Sequence, residues 1–315
     1  MKRLRVSLTD RCNFRCAYCM PECPVWGAKE DILSLEELRQ LVGIFVARLG
    51  IEQLRLTGGE PLLRGGVARF VAMLSELKCA GLRRVSLSTN GALLSRYAHE
   101  LADVGLDDVN VSLDSLSPER FRQITGGGSL PDVLRGIGCA REAGLPVKIN
   151  AVIMRGTNDA DVLPLALWAY REQLPLRFIE FMPLDSRGLW SPDKVFTERD
   201  LLALLSREFE IAPMARTSEP ASYYLLNGSF RLGVIPTVSN PFCAMCDRVR
   251  LTADGRLFAC LFSPAGVDLK EALRAKLDRD VLESQIVAAV FNKPRGFVEK
   301  SALMNGHAGM HVLGG

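Results

Sequence analysis

The chain has 315 residues, 48% of them apolar, with 39 Lys+Arg against 36 Asp+Glu and a net charge of +3. That length suits one large or two ordinary domains, and the near-balance of charge excludes a nucleic-acid-coating or polybasic membrane protein. Nine cysteines, odd in number and clustered, are too sparse for a disulfide scaffold and point to metal ligation in a reducing compartment.

The start, Met1 to Asp10, is basic but turns polar before an apolar core can form, so no secretory signal is expected. No run of about 18 apolar residues follows, so no membrane span is expected and the chain reads as a soluble cytoplasmic protein. From there β-rich runs alternate with helical patterns. The expected strands are Leu4–Leu8, Gln53–Leu56, Arg84–Ser88, Asp108–Leu113, Val147–Ile153 and Arg177–Phe181. Between them, apolar residues recur at i, i+3 and i+4 over Leu35–Leu49, Val67–Leu77, Leu93–Val104, Val133–Ala143 and Ala160–Tyr170. The repeated strand–helix order implies a parallel sheet with right-handed crossovers. About six units are too few for a full barrel. The expected fold is therefore α/β, an incomplete, open parallel β/α barrel over residues 1–182. A C-terminal α+β part, residues 183–315, would close the open side. It holds a helix near Glu198–Phe209, a β-rich stretch at Ser222–Val234 and helical patterns at Asp268–Leu277 and Asp280–Phe291.

Chemistry is expected where strands end and loops begin. Directly after the first strand stands Cys12-Asn-Phe-Arg-Cys16-Ala-Tyr-Cys19. Three thiolates on one compact loop can hold three irons of a 4Fe-4S cube and leave the fourth iron open. Structural zinc is the alternative, with Cys23 as a fourth ligand. The second group is Cys243-Ala-Met-Cys246, with Cys260 beyond. Taken alone it reads as a zinc knuckle short of one ligand; two three-cysteine sets in one chain favour a shared logic, a cluster with one exchangeable site in each. Cys79 and Cys139 lie in helical patterns and read as buried apolar residues.

Thr57-Gly58-Gly59-Glu60-Pro61 follows the second strand. Its glycines allow close backbone approach to a ligand, and Glu60 could accept from an ammonium. Arg248 and Arg250 are two apart, so in an extended segment both point to one face directly after a cysteine ligand. Lys148 begins a strand and Arg55 nearly ends one; cations converging from several elements suit a triphosphate. Arg84 and Arg171 read as solvated surface charges. There is no phosphate loop, and Asn292-Lys293-Pro294-Arg295 lacks the Asp of a GTPase guanine reader. With only His99, His307 and His311 and none at a strand end, imidazole catalysis gives way to chemistry borne by a cofactor.

Cys-x3-Cys-x-Tyr-Cys followed by Gly-Gly-Glu-Pro on the next strand resembles the radical S-adenosylmethionine superfamily. Phe242-Cys-x2-Cys-x-Arg-x-Arg-Leu-Thr-x-Asp-Gly with Cys260, Ile179-Glu-Phe-Met182 and the terminal Gly314-Gly315 resemble, more narrowly, the GTP 3′,8-cyclases of molybdenum-cofactor biosynthesis. The resemblance implies that Cys12, Cys16 and Cys19 hold a 4Fe-4S cluster that binds S-adenosylmethionine. Gly59, Ser112, Met182 and the backbone at Tyr18 would contact that cofactor. Cys243, Cys246 and Cys260 would hold a second 4Fe-4S cluster facing the guanine, while Arg5, Arg55, Ser88, Lys148, Arg248 and Arg250 would contact GTP. An electron from the first cluster would cleave S-adenosylmethionine to methionine and a 5′-deoxyadenosyl radical. That radical would take hydrogen from C3′ of GTP, and C3′ would join C8. The Gly-Gly tail would enter the active site. The resemblance also implies a flavodoxin- or ferredoxin-type electron donor and a next enzyme, cyclic pyranopterin monophosphate synthase, with the chain a monomer or homodimer. The rival readings are a peptide- or protein-modifying maturase, which calls for more C-terminal cysteines, and a colourless zinc-binding module.

Overall fold

The computed structural model of the chain describes residues 1–217, 219–243, 246–275, 279–293 and 309–314. Gly315, His307, Pro294, Arg295 and the end of the helix expected over Asp268–Leu277 lie outside the described residues.

Six strand–helix units come first. Strands β1 (Arg3–Ser7), β2 (Gln53–Thr57), β3 (Arg84–Thr89), β4 (Asp108–Ser112), β5 (Val147–Ile153) and β6 (Leu176–Glu180) lie side by side and parallel, each within one residue of its expected ends. The helices that return the chain are α1 (Leu35–Leu49), α2 (Val67–Ser75), α3 (Leu94–Asp103), α4 (Pro118–Thr125), α5 (Leu130–Glu142) and α6 (Val162–Glu172). Helix α1 shows how locally these are specified. Ser34 Oγ accepts from Glu37 N while the Glu37 carboxylate accepts from Ser34 N, a reciprocal cap that starts the helix. Gly50, at φ 62°, ends it. Between them Leu38, Leu41, Val42 and Phe45 are buried, each contributing about 1.5–3 kcal/mol of apolar burial.

The later residues form α7 (Glu198–Leu205), β7 (Ile211–Pro213), β8 (Ser222–Leu226), β9 (Phe230–Ile235), β10 (Arg248–Leu251), β11 (Arg256–Phe258), β12 (Val267–Asp268), α8 (Lys270–Arg274), α9 (Arg279–Phe291) and a last helical turn, Met310–Leu313. They meet the open side by extending the sheet at both edges. β10 pairs parallel with β1, and β9 pairs parallel with β6. Antiparallel β11 and β12 continue one edge, and β8 and β7 the other, giving the order β12-β11-β10-β1-β2-β3-β4-β5-β6-β9-β8-β7. β12 and β7 stand at opposite ends of that order, so the barrel is open.

Glu180, buried at the end of β6, holds the two halves together there. Its carboxylate accepts from the backbone N–H of Glu198 at 2.9 Å, Val238 at 2.9 Å and Ser239 at 2.8 Å. The start of α7 and the loop running toward Cys243 are thereby pinned to one strand end. Among the described residues no helix is long and apolar enough to cross a membrane.

Candidate active site

Successive side chains of a strand face opposite sides of the sheet. In β1, Leu4 and Val6 join the hydrophobic core, and Arg3 and Arg5 line an internal cavity. The same alternation holds around the barrel. Val109 and Val111 of β4, Ile149 and Ala151 of β5 and Val249 and Leu251 of β10 are core residues, while Ser112, Lys148, Asn150, Arg248 and Arg250 line the cavity. The register places Arg250 beside Arg5, and Arg5 beside Arg55, on neighbouring strands. Several guanidiniums thus share one level of the interior, in a cavity of about 480 Å³.

Both cysteine groups line this cavity, at its opposite ends. Cys12, Cys16 and Cys19 follow the C-terminal end of β1. Cys243 and Cys246 precede β10, which runs parallel to β1, and Cys260 follows the antiparallel β11, so the second group lies at the N-terminal ends. A five-residue strand separates the two ends by roughly 16 Å at about 3.3 Å per residue.

The first cysteine loop is held by its backbone. Arg15 N donates to Thr125 O at 2.8 Å, Ala17 N to Ile124 O at 3.1 Å, and Cys19 N to Cys16 O at 3.0 Å. Arg187 reaches in from the loop after β6, its guanidinium donating to the carbonyls of Met20 at 2.9 Å and Arg15 at 3.0 Å. Burial pushes the Cys12 thiol up to about 11 and the Cys19 thiol up to about 12, and raises Cys16 as well. A metal centre held by these thiols would displace their protons. Cys23 is exposed and, unlike Cys12, Cys16 and Cys19, does not line the cavity. Three thiols toward each end of one cavity fit a cluster with an open iron.

Gly59 sits where only a glycine fits: a Cβ there would run into the carbonyl of Arg11 in the first cysteine loop. Glu60 corrects the sequence reading. Its carboxylate is buried and accepts from Thr89 Oγ1 at 2.7 Å, Asn90 N at 2.8 Å and Leu62 N at 3.0 Å, so it anchors the turn and is not offered to a ligand. Desolvation raises it to about 7 in spite of those bonds. Asp114, which accepts from Tyr18 OH at 2.7 Å and Val152 N at 2.8 Å, is likewise raised by burial, to about 6. Each carboxyl thus retains a proton that the unfolded chain releases, so the stability these two groups contribute falls as pH rises from about 3.8 to about 7 and is lost above that. Denaturant titrations across that range should show the slope, and Glu60→Gln should flatten its upper part; an unchanged slope would mean that Glu60 ionises normally.

The inward cations oppose one another. Burial, then Arg250, Arg55, Arg248 and Arg177, lowers Arg5 well below the usual guanidinium range. Arg55 and Arg250 are lowered to about 10, burial again leading. Asp108 is a buried counter-charge beside them, pairing with Arg84 at 2.5 Å and Lys148 at 3.6 Å. A polyanion entering this space would relieve the repulsion. The last turn of the chain enters it too. Gly314 O accepts from Arg250 at 2.6 Å and Arg5 at 3.2 Å, and Leu313 O accepts from Arg250 at 3.2 Å. Gly314 adopts φ 79°, and a Cβ on it would strike Thr57 Oγ1.

The described residues that the resemblance assigns to cofactor, substrate or cluster line this one cavity: Cys12, Cys16, Tyr18, Cys19, Gly59, Ser112 and Met182 toward one end, Arg5, Arg55, Ser88 and Lys148 along the strands, and Cys243, Cys246, Cys260, Arg248 and Arg250 toward the other; Glu60 and Cys23 do not. Three readings change. Arg84, read as a solvated surface charge, is partly exposed but also lines the cavity and pairs with the buried Asp108. Cys79 is exposed and Cys139 half-buried rather than buried. Arg177, not singled out at all, lines the cavity and donates to Asn150 Oδ1 at 2.9 Å and to Asn110 Oδ1; its inward position on β6, in phase with Ile179, was the available signal.

Comparison with known proteins agrees with this architecture. Residues 6–169 match the model of the Radical SAM superfamily, and residues 174–298 match that of Molybdenum Cofactor Synthesis C. The chain is 48% identical over 278 residues to a GTP 3′,8-cyclase of Streptomyces coelicolor, covering 86% of this chain and 81% of the relative. It is 43% identical over 296 residues to one of Brucella ovis, covering 93% and 86%, and 41% identical over 302 residues to one of Thermodesulfovibrio yellowstonii, covering 94% and 92%. Among solved structures it shares its fold with native anSMEcpe with bound AdoMet (TM-score 0.63, 16% identity, 94% of this chain and 81% of that one). It also shares it with Streptococcus suis SuiB bound to S-adenosylmethionine (TM-score 0.63, 15% identity, 90% and 67%). With both family models matched in sequence order and the relatives aligned over most of its length, the chain belongs to the radical SAM superfamily and, within it, to the GTP 3′,8-cyclase family.

Proposed function

We propose that this chain converts GTP to 3′,8-cyclo-7,8-dihydro-GTP, the first step of molybdenum-cofactor biosynthesis, with S-adenosylmethionine and two 4Fe-4S clusters. The observation that carries this is a single cavity with a three-thiol group at each end and mutually repelling guanidiniums between them. When bound, the first cluster supplies the electron that cleaves S-adenosylmethionine, and the second offers guanine an iron without a protein ligand.

The chain's own residues do the positioning. Gly59, Ser112, Met182 and the backbone at Tyr18 form the wall for S-adenosylmethionine. Arg5, Arg55, Lys148, Arg248 and Arg250, with Ser88, neutralise and orient the triphosphate; Arg84 and Arg177 stand with them. The reaction asks that C3′ of the nucleotide be held against the 5′ carbon of S-adenosylmethionine and that water and stray hydrogen donors be excluded. The inserted tail fills space between Thr57 and the arginines and serves that second demand. Residues 1–182 are the cofactor-binding part and residues 183–315 the substrate-closing part. The enzyme works in the cytoplasm as a monomer or homodimer, takes electrons from a flavodoxin- or ferredoxin-type donor and hands its product to cyclic pyranopterin monophosphate synthase.

Removing one hydrogen from C3′ and later adding one electron and one proton leaves the composition of GTP unchanged. Anaerobic incubation of the iron-reconstituted chain with GTP, S-adenosylmethionine and dithionite should therefore yield a nucleotide of the mass of GTP with a different chromatographic position, alongside 5′-deoxyadenosine. GTP recovered unaltered while S-adenosylmethionine is consumed would overturn the assignment.

A further inference from the structure

Lys293 takes no part in the roles assigned above, yet it reaches the second cysteine group directly. It follows the C-terminal end of α9, its N–H closing on Val290 O at 3.2 Å. Its ammonium donates to Arg248 O at 2.6 Å and to Cys246 O at 3.0 Å, and it lies 3.3 Å from Cys246 Sγ. An ammonium has three N–H donors and no acceptor, so these three partners use all of them. The carbonyl between the two, that of Asp247, accepts from Lys2 N and Arg3 N, both at 3.1 Å, and the Asp247 carboxylate pairs with Arg3 at 3.0 Å. The backbone from cysteine ligand to substrate arginine is thus held at three successive carbonyls.

We propose that Lys293 is the positioning residue of the second cysteine group: its ammonium fixes the Cys246–Arg248 turn and places a hydrogen-bond donor and positive charge beside the Cys246 sulfur. This rests on the two-cluster reading. A charge-assisted donor to a ligating sulfur stabilises the reduced, more negative state of a cluster and so raises its reduction potential. At the same time the two carbonyl bonds set the direction of Arg248, whose guanidinium lies 4.6 Å over the Phe242 ring and 3.7 Å from Cys246 Sγ. One side chain thereby couples the electronics of the guanine-facing end to the aim of a substrate-binding arginine.

The test uses the full-length chain with Cys12, Cys16 and Cys19 changed to Ala, so that only the second group can hold iron. It is reconstituted anaerobically with Lys293 intact, with Lys293→Met and with Lys293→Arg. Iron per chain and the midpoint potential, from an EPR-monitored redox titration, are read for each. The expected result is a more negative potential in Lys293→Met and a potential close to the parent in Lys293→Arg, since Arg keeps the charge. Equal potentials in the parent and Lys293→Met overturn the inference. Should Lys293→Met lose its iron, Lys293→Arg decides: retained iron at the parent potential supports the inference, and a shift to the Met-like direction or loss of iron overturns it. A parent variant that takes up no iron at all overturns the cluster reading beneath it, an outcome distinct from the others.

Discussion

Cys16→Ala is expected to abolish both 5′-deoxyadenosine formation and GTP conversion while leaving the fold intact. The loop that carries Cys16 is fixed by bonds that do not involve its thiol, namely those of Arg15 and Ala17 to the end of α4 and of Arg187 to the Met20 and Arg15 carbonyls. Loss of the sulfur therefore removes a ligand without unfolding the loop, and iron per chain should fall by about half, as expected when one of two cubes loses its anchoring. Cys243→Ala should instead preserve uncoupled cleavage of S-adenosylmethionine and lose only cyclisation, because it lies at the other end of the cavity. Continued 5′-deoxyadenosine production in Cys16→Ala would dissociate the first trio from the cofactor.

The contrast between those two variants depends on where the strands put each group, and that was only partly legible in the sequence. Local periodicity is strong in the first half: Leu35–Leu49 and Val147–Ile153 form over the expected residues. Helix α4 escaped because only Phe121, Ile124 and Thr125 of its eight residues are buried, too short a stripe for a periodic signal. Its ends were nonetheless marked by Ser117 at the cap, Pro118 in the first turn and Gly126 in the left-handed cap. The pairing of β10 with β1 joins residues 245 apart in sequence in the register Arg3–Arg248, and no local pattern encodes such a contact. It is this pairing that sets the second cysteine group opposite the first and Arg250 beside Arg5. Arg84 and Arg177 were hidden for a related reason. A basic residue at a strand start looks solvated until the strand is known to be covered on one side by helices and to face the cavity on the other. Glu60 was misjudged because the partners that occupy it, Thr89 and Asn90, belong to the next strand end.

Arg250→Ala is expected to lower kcat/KM for GTP by at least about 30-fold, since truncating a buried, hydrogen-bonded charge costs about 2–5 kcal/mol. Cleavage of S-adenosylmethionine should continue, now uncoupled from product. Two routes lead to this loss. Arg250 can act on the triphosphate directly, or through the tail whose Leu313 and Gly314 carbonyls it holds. Deleting Leu313, Gly314 and Gly315 in the parent and in Arg250→Ala separates them. If Arg250 works through the tail, the deletion costs little more in the variant than the substitution already did, because both remove one interaction. If Arg250 grips phosphate, the two losses add. Because Arg250 both faces the proposed triphosphate site and holds the Leu313 and Gly314 carbonyls, the two losses should add only in part, and Arg5→Ala should remove the share carried by its own bond to Gly314. Full additivity would mean that the tail and the arginine serve separate steps.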